Sequence, residues 1–344
     1  MNSMTCRKRS DGKMMPGRRD VVMFGLAALS APALTVARAL AQSQYPDRPI
    51  RLVIPFTTGG VNDAVGRPWA DKMKSLLGTV VVENIGGAGG SLGAAAVARA
   101  QPDGYSILLG GMGSHVINPA ASTRQLYDPI KDFEAIAILG FTGLTIAVHP
   151  AVPARTLREL IDYAKANPGK LSFGSSGAGA MTHLTSELFK SLAGTPDIVH
   201  IPYRGGGPLI ADLVSGHIPI IAQSVTGHMI ELHETGKVRM LAVTSPQRLS
   251  AAANIPTAIE AGLAGMIAQN FIGLFAPAKT PKAIVDRISE ATRTAMADPQ
   301  FQQAFVASGF DPVLDSTPEK ARRVVEEESA RWTPIIKAIG LKLD

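Results

Sequence analysis

From Gln42 onward, short apolar runs rich in β-branched residues alternate with helical segments, and glycine-rich stretches follow most of the runs. This alternation constrains the fold more than any other feature, because strand, helix and strand in succession build parallel βαβ units. Residues 50–55, 79–83 and 105–109 read as strands. Residues 71–77 read as part of a helix that Pro68 must start or kink, and residues 91–100 read as a second helix. In the middle of the chain, Thr156-Leu157-Arg158-Glu159 is a capping box, with Leu157, Leu160, Ile161 and Ala164 on one helical face. Short strands over 171–174, 198–201, 218–222 and 238–244 are interleaved with helices over 182–192 and 208–214. Thr280-Pro281 and Thr317-Pro318 each place an N-cap before a helix-starting proline, for helices over roughly 281–297 and 318–338. Two apolar stretches, 135–148 and 271–276, read as connections between lobes. A first lobe of 42–146 plus 270–344 then flanks a second of 147–269.

The glycine stretches lie where strands hand over to helices. They are Gly59-Gly60 before Asp63, Gly86-Gly87-Ala88-Gly89-Gly90, Gly110-Gly111-Met112-Gly113-Ser114, Gly174-Ser175-Ser176-Gly177-Ala178-Gly179-Ala180, and Gly205-Gly206-Gly207. Ligands of open α/β sheets bind at the carboxyl ends of strands. The helix starts there offer free N–H groups and the positive end of the helix dipole, which suits an anion. None of these loops fits G-x-G-x-x-G or G-x-x-x-x-G-K-[ST], which argues against nucleotides. There is no G-x-S-x-G elbow, and His183 reads as a helix-start histidine that bonds local backbone or packs. His228 and His233 are five residues apart, off a common helical face, so no metal site is expected. Asp63 reads equally as a ligand contact or as an N-cap.

Residues 1–41 read as an export signal: a basic stretch ending in Arg18-Arg19, an apolar run with small residues from Val21, and Ala39-Leu40-Ala41 as the cleavage pattern. The arginine pair resembles a twin-arginine signal. This segment carries a net +5 of the chain's +6, so the remainder is close to neutral and a nucleic-acid partner has no electrostatic basis. Cys6 is the only cysteine. It precedes the apolar run, so the exported chain holds no disulfide, thiolate metal site or cysteine nucleophile.

An ordered set of short motifs then carries a family resemblance. Tyr45-Pro46-Asp47-Arg48-Pro49 leads into Val53-Ile54-Pro55-Phe56. Val81-Val82-Glu83-Asn84, Pro102-Asp103-Gly104-Tyr105, Pro168-Gly169-Lys170-Leu171, Pro202-Tyr203-Arg204-Gly205 and Leu241-Ala242-Val243-Thr244 follow in order, ending at Arg331-Trp332. The set resembles the Bug receptors, solute-binding proteins of the tripartite tricarboxylate transporter family, over essentially the whole exported chain. The resemblance implies a two-lobed α/β periplasmic binding fold, type II-like, with parallel-rich sheets flanked by helices and a ligand cleft between the lobes. It implies capture of a small di- or tricarboxylic, amino or aromatic acid, held mainly by backbone N–H and hydroxyl groups. Carried over residue by residue, Thr57, Thr58, Gly60 and Asp63 line the cleft from the first lobe. Ser175, Ser176, Gly179, Ala180 and Thr182 line it from the second, and Ser114, Gly205 and Gln223 complete the set. No catalytic residue, cofactor or metal is implied. The implied partners are membrane transporter subunits, or a membrane sensor served by a ligand-sensing receptor subunit; an exported hydrolase is the remaining alternative. A monomer is expected, because a closing cleft works without a second copy. Thr57-Thr58 stands where the family usually has Ala-Pro, and Gly216-His217-Ile218-Pro219 where an acidic residue often falls. Both departures point to a different acid or to one with an added apolar part.

Overall fold

The computed structural model describes residues 45–59 and 61–343. The export-signal reading and Gly60 therefore lie outside the described residues. The chain runs β1 (Ile50–Ile54), α1 (Val61–Met73), β2 (Val80–Asn84), a 3₁₀ turn (Ala88–Gly90), α2 (Ser91–Ala98) and β3 (Ser106–Gly111). A π turn (Gly113–Ile117), α3 (Asn118–Ala121), β4 (Phe133–Val148), α4 (Leu157–Ala166), β5 (Ser172–Ser175), α5 (Met181–Ala193) and β6 (Val199–Pro202) come next. It closes with α6 (Gly206–Ser215), β7 (Ile220–Ser224), α7 (Gly227–Glu234), β8 (Arg239–Val243), β9 (Gln269–Pro277), α8 (Lys282–Met296), α9 (Pro299–Ala307), β10 (Asp311–Pro312) and α10 (Pro318–Ala338).

The strands form one curled sheet in the order β2-β1-β3-β9-β4-β7-β5-β6, with β10 and β8 also paired to β4. Its two outer limbs are parallel: β1 with β2 and β3, and β5 with β6 and β7. The middle is antiparallel, because β9 pairs against both β3 and β4, and β4 against β7 and β8. The two apolar stretches singled out in the sequence are thus partners of each other. Up to Gly143, β4 pairs with β9; from Leu144 it pairs with β7. Nearly every residue of its sixteen is buried, as a strand covered on both faces requires. By contrast β2, at an edge, alternates and leaves Val81 exposed.

Local signals act as expected at several helix starts. Thr156 Oγ1 accepts from Glu159 N at 3.1 Å, while Glu159 Oε2 reaches back to Arg155 N at 2.7 Å. Thr317 caps α10 by accepting from Lys320 N at 3.2 Å. One expectation is narrowed and one corrected. Of the two places open to Pro68, the helix start or its interior, α1 takes the second: it begins at Val61 and carries Pro68 inside. The following Trp69 is fully buried and donates to Thr292 Oγ1 at 3.2 Å, so packing against α8 accompanies a residue that local propensity disfavours. At α8 the N-cap is Pro281, and the Thr280 hydroxyl turns instead to Pro277 O at 2.7 Å.

Candidate ligand-binding site

The loops after β1, β2, β3 and β5 meet at one cavity. A cavity of about 550 Å3 is lined by Phe56 after β1, Ala88, Gly89 and Ser91 after β2, Gly113 after β3, and Ala178–Met181 after β5. Ile117, Asn118, Ser122, Arg124, Leu126, Asn270 and Leu343 complete its wall. A second compartment of about 210 Å3 shares Phe56, Gly113 and Asn270 with the first and adds Thr142, Ser224, Thr226 and Ser308 to its lining. The larger volume falls in the range of small-molecule sites. Among the described residues that line it, Arg124 is the only charged side chain.

On one wall, the turn before α2 has Gly87, Ala88, Gly89 and Gly90 all at positive φ. Asn118 holds this turn by donating to Ala88 O at 3.2 Å and Gly89 O at 2.5 Å. A side chain at Gly89 would collide with that amide, so glycine is required there for a contact as well as for its φ of 61°. No side chain caps α2, whose N-cap is Gly90. Behind the wall, Ser114 is fully buried, with Oγ 3.0 Å from His115 Nδ1; its carbonyl accepts from Tyr127 Oη at 2.5 Å. His115 is also fully buried, its ring 3.8 Å from that of Phe275, and burial pushes its pKa down to about 3. Burial pushes the Tyr127 phenol up to about 12.

The opposite wall is the loop between β5 and α5. Thr182 Oγ1 accepts from Ser176 N at 2.9 Å and lies 2.9 Å from Ser176 Oγ. His183 Nδ1 accepts from Gly179 N at 3.2 Å, and its ring stacks on His200 at 4.0 Å. His200 Nε2 lies 2.7 Å from Ser175 Oγ, which also reaches Gly177 O at 3.1 Å. Two stacked imidazoles thus pin both ends of the loop in their neutral forms. Burial holds His183 below its ordinary pKa, while burial and then the His183 and Lys190 charges hold His200 down at about 4. No side chain caps α5, whose N-cap is Ala180. Ala180 and Met181 at its start line the same cavity as Ser91 at the start of α2.

Of the residues singled out from sequence, Gly179 and Ala180 line the cavity. Ser175, Ser176 and Thr182 shape the loop from behind, and Ser175 is fully buried, out of reach of a substrate. Ser114 does the same for the opposite wall. The Asp63 carboxylate is taken by Gly59 N at 2.5 Å, Asn84 Nδ2 at 3.2 Å and Arg67 Nε at 3.1 Å, so it anchors the turn after β1. Thr57 and Thr58 are exposed or nearly so and line neither compartment. Gly205, at φ 111°, precedes α6 and donates to Ser176 O at 3.2 Å, and Gln223 lies against the start of α6 at Gly206. Sequence reasoning missed Phe56, Asn118, Arg124 and the apolar set Ile117, Leu126, Met181 and Leu343. Only Phe56, beside a glycine loop, carried a local signal. Among the described residues, no group of three or more His, Cys, Asp or Glu is placed to hold a metal.

A two-lobed α/β fold whose cleft is walled by strand ends and uncapped helix starts defines a solute-binding receptor of the periplasmic type. Comparison with known proteins agrees. Residues 65–341 match the TctC model, described as tripartite tricarboxylate transporter family receptor. The chain is 35% identical over 306 residues to a UPF0065 protein of Agrobacterium vitis from the TAR-I ttuE-ttuC' intergenic region, covering 88% of this chain and 87% of that one. It is 30% identical over 310 residues to BugT of Bordetella pertussis, covering 90% and 94%. The solved structure of the periplasmic binding protein BugD is 35% identical, with TM-score 0.71 over 87% of this chain and 99% of that one. An R. palustris protein with adipate is 30% identical, with TM-score 0.74 over 87% and 99%. MatC from Rhodopseudomonas palustris with bound malate is 29% identical, with TM-score 0.69 over 85% and 100%. The chain belongs to the tripartite tricarboxylate transporter family receptors, a family of substrate-binding proteins, not enzymes.

Proposed function

We propose that this chain is a periplasmic solute-binding protein that captures a small dicarboxylate and delivers it to membrane transporter subunits. The observation that carries the reading is the pair of helix starts without a side-chain cap, α2 and α5, on opposite walls of one cavity that no acidic side chain lines among the described residues. Each brings the positive end of a helix dipole to one carboxylate. Neighbours solved with adipate and malate support the same ligand class. Gly179 and Ala180 form the wall against the ligand, their own N–H groups donating to His183 Nδ1 and Gly177 O, and Ser175, Ser176 and Thr182 hold that wall in place. The lobes divide near residues 146 and 270; the change of β4 partners at Gly143–Leu144 supports the first of these boundaries. Residues 1–41 direct export, with cleavage near Ala41 and Arg18-Arg19 pointing to the twin-arginine route. A single copy suffices, because both walls come from one chain.

The test is a thermal-shift and calorimetric screen of succinate, malate, glutarate and adipate against their diamides. A ligand that binds only the folded state stabilises it by about 2.7 kcal/mol at a hundredfold excess over Kd. Stabilisation by a diacid and not by its diamide is expected. Equal responses to acid and amide would refute the carboxylate reading.

A further inference from the structure

The segment that follows α10 reaches back into the cleft. Leu343 N donates to Ala121 O at 2.9 Å, and Thr123 N donates to Leu343 O at 3.1 Å. Residue 343 is thereby bridged in parallel to Ser122, where the chain leaves α3 in an extended conformation. Both backbone groups of Leu343 are used, so its position is fixed by hydrogen bonds on one wall. Its side chain lines the cavity. On the other wall, a Cβ built at Gly179 would lie 3.2 Å from Leu343 Cδ2 and 3.3 Å from Leu341 Cδ2. The two leucines therefore pack against the loop that carries the start of α5, with Leu343 beside the apolar Ile117, Leu126 and Met181 lining.

We propose that Leu343 is a specificity-determining residue: its bridged side chain forms an apolar stop that sets the length of acid the closed cleft accepts. The proposal rests on the carboxylate reading above. The charged ends of a diacid are satisfied at the helix starts, so an excess methylene must go toward the leucine. The backbone bridge to residues 121–123 fixes where this side chain starts, and its packing against the Gly179 loop limits how far it can turn aside. One methylene in a fitted apolar pocket is worth about tenfold or more in discrimination.

The experiment is calorimetric titration of the full chain, Leu343→Ala, Leu343→Phe and Leu343→Met with the series of unbranched α,ω-dicarboxylates from malonate to suberate. Leu343→Ala is expected to move the preferred length upward, raising the affinity of the next longer acid relative to the wild-type optimum by about tenfold. Leu343→Phe is expected to move it downward, and the volume-conserving Leu343→Met to leave it in place. Should Leu343→Ala fail to fold, the shift with Leu343→Phe decides. Diacid binding with one length profile in every variant would overturn the stop while leaving the carboxylate reading intact. No diacid bound by any of the folded proteins would overturn both.

Discussion

Acid should destabilise this protein through His115, by an amount that follows from its surroundings. The imidazole is fully buried between Phe275 and Phe133, with ring centroids 3.8 and 5.0 Å away, and among the described residues its one polar contact is Ser114 Oγ at 3.0 Å. Desolvation holds its folded-state pKa at about 3. The unfolded chain takes up the proton near the ordinary value of about 6.5. Because the folded value is depressed, the unfolded state binds more protons across the interval between them. The stabilisation is complete above about pH 6.5 and is lost as pH falls toward 3. The slope is about 1.4 kcal/mol per pH unit, so about 3 kcal/mol is lost by pH 4 from this residue alone. Urea unfolding of wild type and His115→Gln at steps between pH 7 and 4.5 measures it. The variant is less stable at pH 7, because ring packing is lost, but its stability should fall less steeply, by one proton's worth of slope. His183 and His200 contribute to both proteins and cancel in the difference. Parallel slopes in the two proteins would refute the assignment of a neutral, buried His115.

Gly111→Ala places a Cβ 2.5 Å from the Phe271 carbonyl oxygen in β9, which only backbone movement can relieve, so a loss of about 2 kcal/mol or more in urea unfolding is expected. Gly179→Ala forces an L-residue to φ 79° at a cost of about 1–2 kcal/mol. It also crowds Leu341 and Leu343, so calorimetry should show diacid affinity falling by tenfold or more in a protein that still unfolds cooperatively. Protonating His183 removes the acceptor for Gly179 N, and protonating His200 as well, near pH 4, sets two cations 4.0 Å apart beside Lys190, with Glu187 opposing. Affinity for a disulfonate, whose charge is constant, should therefore hold from pH 8 to 6 and fall as pH drops toward 4, and a flat profile down to pH 4 would contradict the role given to this pair. Arg124→Gln removes the only charged side chain on the described cavity wall, so stopped-flow association with a diacid should slow several-fold at low salt and lose most of its ionic-strength dependence.

Local signals in the chain reached as far as local physics does. The capping threonines at 156 and 317, the strand-to-helix alternation and the glycine turns act within a few residues, and each is found where the pattern places it. The place of Gly179 and Ala180 on the cavity wall was legible for the same reason: a glycine turn that follows a strand and precedes a helix lies at the strand's carboxyl end. Pro68 and Thr280 show the limit. Packing of Trp69 against Thr292 accompanies a proline inside α1, and the Thr280 hydroxyl found a carbonyl instead of a helix start.

What the sequence by itself determined is the inventory: which segments are strands and helices, which turns need glycine, and the ordered motifs that carry the family. What only the tertiary structure decided is direction. The β4–β9 pairing, which brings residues 133–143 against 269–277, depends on contacts more than a hundred residues apart, and no local period encodes it. The same holds for the cavity wall. Ile117, Leu126 and Leu343 carry no local signal of a site, while the family resemblance implied cleft-lining roles for Asp63, Ser175 and Thr182. The fold turned the first set toward the cleft and satisfied the second within the walls, because a buried polar atom must find a partner while an apolar side chain can face either core or ligand.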